Sequence, residues 1–179
     1  MITPRLHRGL LKVFRRLPRR VRRWTVRVIN PTFSVGAAVL VERPDGRLLL
    51  VRHSYRRRWG TPGGLLNRGE TPDVAARREV GEEIGLDVTL IGEPVVVVDP
   101  KPRRVDVIFR ARTAVGVDPD SARPTSPEIV EVRWFPVDAM PELQHETASA
   151  LRALARAALS PPSVPLIRPV DPVDRAAEE

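Results

Sequence analysis

Gly64-Leu65-Leu66-Asn67-Arg68-Gly69-Glu70-Thr71-Pro72-Asp73-Val74-Ala75-Ala76-Arg77-Arg78-Glu79-Val80-Gly81-Glu82-Glu83-Ile84-Gly85-Leu86 is the most informative run in the chain. Its first third is punctuated by glycine, which permits positive φ and close backbone approach. A helix is expected to follow: Thr71 can cap it, Pro72 suits its first turn, and Asp73 suits the positive end of the helix dipole. Gly85 is placed to end it. Ala76, Val80 and Ile84 follow one another at four-residue steps, an apolar stripe able to pack on a sheet. At about 100° per residue, Glu82 and Glu83 lie about −60° and +40° from Glu79, so the three carboxylates share one sector. Such groups repel one another and raise each other's pKa. A divalent cation resolves the repulsion, and hard oxygen donors suit Mg2+ or Mn2+. Arg78 can bond a carboxylate and orient it without being a ligand. Pro62-Gly63-Gly64, just before the run, can bring main-chain groups up to a metal or a phosphate.

Charged residues on a helix ordinarily form a solvated face. The spacing argues against that here. The stretch resembles the Nudix box: Gly64, five residues, Glu70, seven residues, Arg78-Glu79, an apolar residue, any residue, Glu82-Glu83, any residue, Gly85, an apolar residue. Every defined position is met, and at this composition a chance match is below about one in a million. The looser resemblance runs from the strand near Val35 through Trp59-Gly60-Thr61-Pro62-Gly63-Gly64 to Glu131-Val132-Arg133-Trp134-Phe135.

The resemblance implies an α/β protein, an α/β/α sandwich around a mixed β-sheet. It implies a metal-dependent hydrolase that cuts a phosphoanhydride bond in a nucleoside diphosphate linked to another moiety. By the match, Glu79, Glu82 and Glu83 are the expected ligands of Mg2+ (or Mn2+), and a main-chain oxygen near Gly63 or Gly64 completes the set. Glu70 supports the loop and helix. The general base of this family is sometimes a box glutamate and sometimes one in a later loop. Glu79 is the in-box candidate, Glu128 the downstream one, and Glu131 its runner-up. Pro102 lies sixteen residues beyond Leu86, near where the family's ADP-ribose hydrolases carry a proline. With 19 prolines in 179 residues, one falls at any chosen site about one time in nine, so the substrate stays open. A nucleoside triphosphate is the rival substrate class, and a catalytically inactive nucleotide-binding module is the rival function.

Around the box, Ser34 to Arg43 and Leu48 to Val51 read as strands joined by the turn Pro44-Asp45-Gly46, a hairpin. Val88 to Ile91, Val95 to Val98, Arg104 to Ala114 and Glu128 to Phe135 are strand-like, and the third alternates Val105, Val107 and Phe109 with polar residues. Glu142 to Leu159 reads as a helix with Leu143, Leu151, Leu154, Ala155 and Ala158 on its apolar side. Arg52, Arg58 and the neighbouring Arg56 and Arg57 are candidates for substrate phosphates, since the guanidinium is a fork of donors; a solvated loop is the competing reading. His53 reads as a plain polar residue. Trp59 reads as packing in preference to base stacking.

Composition bounds the rest. There is no cysteine, which excludes disulfides, thiol catalysis and thiolate metal sites. All but Lys12 and Lys101 of the 30 basic residues are arginine, which we read as the bias of a GC-rich, bacterial genome. Residues 1–31 form a basic arm with ten Lys and Arg and no acid. Removing those ten from the net charge of +8 leaves the remainder at −2, so the basicity does not argue for a nucleic-acid partner. The arm carries Leu6, Leu10, Phe14 and Leu17, then Val21, Trp24 and Val28, at helical spacing. It is expected to cover part of the domain or a homodimer mate, or to lie on a membrane surface. Residues 32–159 are the expected hydrolase domain. Residues 160–179, with five prolines and no aromatic, read as a disordered tail. A cytoplasmic protein, peripheral at the membrane if the arm binds there, is the expected location. The expected partner is a small nucleotide.

Overall fold

The computed structural model describes residues 32–159, together with Pro18 and Val21. The expectations for the basic arm and the proline-rich tail lie outside the described residues. Within residues 32–159, six strands and two helices follow in order: β1 (Ser34–Val41), β2 (Arg47–His53), β3 (Gly63–Leu65), α1 (Pro72–Ile84), β4 (Val88–Asp99), β5 (Arg104–Thr113), β6 (Ile129–Pro136) and α2 (His145–Leu159). Short 3-10 turns occupy Pro119–Ser121 and Val137–Ala139.

The main sheet has the order β3-β1-β5-β4 and is mixed. β1 runs parallel to β5, from Ser34 opposite Arg104 to Val41 opposite Ala111. The β1–β3 and β5–β4 pairs are antiparallel. Side chains alternate across a strand, and β1 divides its own between two cores. Ala37, Val39 and Val41 pack with Ala76, Val80 and Ile84 of α1. Leu40 packs with Ile108 and with Ala150 of α2. The helices therefore cover opposite faces, giving the expected layered α/β arrangement with a mixed sheet.

The expected β1–β2 hairpin is a correction. The turn forms, with Gly46 N–H donating to Arg43 O at 3.0 Å and a single bridge from Glu42 to Leu48. Beyond it the strands part, because β3 and β5 already occupy both edges of β1. β2 pairs instead with β6 in a separate antiparallel ladder, from Arg47 opposite Pro136 to His53 opposite Ile129. Leu48, Leu49, Leu50 and Val51 are all buried there, so this strand is apolar on both faces. The two short strands expected at 88–91 and 95–98 are one strand, β4, with an irregularity between Ile91 and Val95 where Gly92 takes φ +66°.

α1 spans nearly the expected residues. Gly85 ends it at φ +68°, its N–H bonded to Gly81 O. Thr71 occupies the cap position without capping through its side chain; its hydroxyl donates to Asp73 at 2.6 Å instead. α2 starts three residues later than expected. Glu142 and Gln144 exchange main-chain hydrogen bonds with Trp59, which holds that segment extended. Its seated face is also shifted: Thr147 and Ala150 are buried, Leu151 and Leu154 pack beside them, and Ala155 and Ala158 are exposed. No helix among the described residues is long and apolar enough to cross a membrane.

Ile84 is fully buried at the foot of α1. Ile84→Ala is expected to lower the unfolding free energy by about 2–5 kcal/mol, as large-to-small changes in a core do. Gly85→Ala, which puts a Cβ on a left-handed residue, should cost about 1 kcal/mol. Urea midpoints of the two variants check both values.

Candidate active site

The loop from Gly63 to Glu70 and helix α1 are clamped by one arginine. Arg78 Nε and Nη2 donate to the two Glu70 carboxylate oxygens at 2.8 and 2.9 Å. Its Nη1 reaches Glu79 at 2.8 Å and Glu82 at 3.0 Å, and Nη2 also meets Leu65 O at 3.3 Å. Glu70 additionally accepts the Asn67 N–H at 2.8 Å. The Arg78 bond, then the Asn67 N–H, hold the Glu70 carboxyl down at about 2. Arg78 thus orients box carboxylates, as its place in the sequence suggests.

Glu83 is the unusual member. It is 5 % exposed and accepts one hydrogen bond, from Gly63 N–H at 3.1 Å. Burial pushes its carboxyl up to about 8 against the pull of that bond, and Glu79, Glu128 and Glu82 push the same way. His53 Nε2 lies 3.9 Å away. Burial, then Arg56, lowers the His53 pKa, which keeps the ring neutral and deprives Glu83 of a cationic partner. A buried carboxyl beside other carboxylates is a donor set that fits a hard divalent ion. Gly64 contributes by having no side chain: a Cβ there would overlap the Glu79 carboxylate.

A cavity of about 690 Å³ opens over this group, between the α1 carboxylates and the first turn of α2. Glu79, Glu83, Gly63, Gly64 and Glu128 all line it. Glu128, forty-five residues beyond Glu83, is brought in by the start of β6, where its carbonyl accepts Ser54 N–H. Glu82 is not a lining residue; it is 61 % exposed and held by Arg78. Among the described residues no three acidic or histidine side chains stand as a closed cage.

Two arginines expected at substrate are engaged elsewhere. Arg52 pairs with Glu131 at 2.8 Å across the β2–β6 ladder, and Arg58 pairs with Glu142 at 2.6 Å. Neither lines the cavity, and Glu131 is absent from it as well. Trp59 stacks edge-on against Phe135, a packing role. Arg56 does line the cavity, bonded to Gln144 at 3.1 Å and Glu146 at 3.0 Å. Arg104, Asp106 and Gln144 also line it and were not picked out from the sequence. Arg104 and Asp106 are two apart on one strand and so share a face, opposite Val105 and Val107. That pattern was legible, but the polar face of a half-buried strand reads as solvent until α2 is seen to roof it.

The NUDIX domain family matches residues 32–156. The chain belongs to the Nudix family. It is a Nudix hydrolase, of the pyrophosphohydrolase kind, and enzymes of this family typically use a divalent metal. A MutT-like protein of Streptomyces ambofaciens is 35 % identical over 116 residues, covering 65 % of this chain and 72 % of that one. An NAD-capped RNA hydrolase of Deinococcus radiodurans is 31 % identical over 131 residues, but the chain spans only 45 % of its length. Among solved structures, an ADP-ribose pyrophosphatase from Streptococcus suis has a TM-score of 0.58 at 27 % identity, covering 72 % of this chain and 94 % of that one.

Glu70→Gln tests the clamp. A depressed carboxyl contributes stability above its unfolded pKa and loses it as pH falls toward the folded value. The variant should be less stable than wild type at pH 7, and the gap should narrow as pH falls from about 4.5 toward about 2. Thermal midpoints over that range measure it.

Proposed function

We propose that this Nudix hydrolase cleaves the pyrophosphate bond of a nucleoside diphosphate linked to another moiety, with ADP-ribose or a nucleotide sugar as the substrate class. The observation that carries this is the cavity that joins Glu79, Glu83 and Glu128 to Arg56 and Arg104. Its volume is in the range of sites for small organic ligands, on the order of 300–1,000 Å³. Arg56 and Arg104 offer guanidinium donors to a diphosphate, and the box carboxylates offer oxygen ligands to its metal. The likeness to the Streptococcus suis ADP-ribose pyrophosphatase supports the same class.

Glu79, Glu82 and Glu83 are the residues that would hold Mg2+ (Mn2+ fits the same donors), with a main-chain oxygen of Gly63 or Gly64. The ion would supply charge neutralisation at the phosphate oxygens and a more acidic water. Glu82, exposed and bonded to Arg78, would have to turn to join Glu79 and Glu83 as the third ligand. Gly63 N–H fixes the Glu83 carboxylate, and Arg78 fixes Glu79. Glu128 takes the proton of the attacking water, a role for which its place in the cavity, away from the Arg78 clamp, suits it better than Glu79. All box carboxylates are present, which argues against an inactive binding module.

A panel of ADP-ribose, nucleotide sugars, dinucleotides and nucleoside triphosphates, assayed for monophosphate release with magnesium, tests the substrate class. ADP-ribose or a nucleotide sugar is expected to give the highest kcat/KM, with chelation abolishing turnover; preferential release of pyrophosphate from a triphosphate would sink the assignment. Glu82→Gln should fold normally and lose activity by orders of magnitude, since one ligand loses its charge. Near-normal rates at saturating magnesium would show the ligand set to be wrong. Glu128→Gln should lower kcat by about 10²–10⁴-fold, the usual worth of a general base.

A further inference from the structure

Arg104 differs from the other arginines near the site in what its fork is left to do. Arg78 spends both terminal nitrogens on Glu70, Glu79, Glu82 and Leu65 O. Arg56 is bonded to Gln144 and Glu146. Arg104 instead donates only its Nε, to both carboxylate oxygens of Asp106, at 2.7 and 2.9 Å. Among the described residues its two terminal nitrogens make no hydrogen bond, and its side chain is 30 % exposed at the cavity wall.

Asp106 is a firm anchor. It is 7 % exposed and sits mid-sheet, opposite Gly36 on β1 and Val97 on β4. Gly36 leaves the room for this pair. A Cβ there would overlap the Asp106 carboxylate and lie 2.6 Å from Arg104 Nη2 and 3.0 Å from Gly64 O. The guanidinium and the glycine-loop carbonyl therefore flank one spot, and the loop's other side carries Glu79. A guanidinium fixed through Nε keeps four N–H donors in a plane, the geometry that grips a phosphate through two oxygens.

We propose that Arg104, held by Asp106, is a binding residue for the substrate's diphosphate beside the box carboxylates. The assignment deepens the function proposed above and rests on its substrate carrying a diphosphate. Asp106 is a positioning residue: it sets the fork's orientation and touches no substrate.

Inorganic pyrophosphate, titrated calorimetrically in magnesium buffer into the full chain, tests this without turnover. Wild type should bind it. Arg104→Gln should weaken binding about ten- to hundredfold, the worth of a charge-assisted bond pair. Arg104→Lys should recover only part of the loss, because an ammonium lacks the fork. Asp106→Asn should fall between wild type and Arg104→Gln. On whichever substrate the panel turns over, Arg104→Gln should raise KM by a similar factor with kcat within about threefold. Thermal midpoints report whether each variant is folded, and Arg104→Lys, which keeps the charge and the packing stem, serves if Arg104→Gln is not. No pyrophosphate binding by wild type, affinity within twofold for folded Arg104→Gln, or full recovery by Arg104→Lys would overturn the proposal. None of these results depends on ADP-ribose being the substrate, so a failed substrate panel and a failed Arg104 assignment are separate outcomes.

Discussion

A carboxyl group kept out of water among other carboxyl groups is the constraint around which the rest of the molecule is arranged. Glu83 sits on the buried side of α1, with one main-chain donor and acidic neighbours. Burying such a group disfavours its charge, and no stability follows from crowding it with like charges. A cation held there, as proposed above, would relieve both penalties. Much of the nearby backbone serves that placement. Gly63 supplies the N–H, and Gly64 leaves space for Glu79. Ala76, Val80 and Ile84 seat the helix so that the acidic sector stays in register with the loop.

Arg78 manages the same repulsion from the other side. By taking Glu70 on the loop and Glu79 and Glu82 on the helix, it ties two segments together and neutralises part of the cluster. Glu83 is out of its reach. The cluster is thereby split between the residues Arg78 clamps, of which Glu79 still lines the cavity, and Glu83, which is buried at the cavity wall. Arg56 and Arg104 line the same cavity. Guanidinium donors and box carboxylates in one cavity are what the proposed diphosphate and its metal would use.

The local elements were legible because their causes are local. Pro72, Asp73 and Gly85 mark the helix through backbone geometry and the helix dipole, and Ala76, Val80 and Ile84 show its buried side by spacing alone. The misreadings share a cause: each depended on partners distant in sequence. Val35 to Val41 and Leu48 to Val51 look like a hairpin because a turn joins them, yet β3 and β5 take both edges of β1 and leave β2 to β6. Glu142 and Leu143 fit a helical pattern until Trp59 claims the backbone on either side. The surroundings of Arg52 and Arg58 were likewise not legible: Glu131 and Glu142 lie opposite them in the fold.

By itself, the sequence from Gly64 to Leu86 determined the family and the kind of bond cleaved through its match to the Nudix box, and it placed the box carboxylates in one sector because a helix of known pitch places its own residues without outside help. Tertiary structure alone decided which of those carboxylates is buried, and that Glu128, Arg104 and Asp106 share their cavity. Those facts turn on strand pairing over tens of residues and on α2 roofing a polar strand face. Both are settled by the packing of the whole chain, and neither is written in the spacing of any one segment.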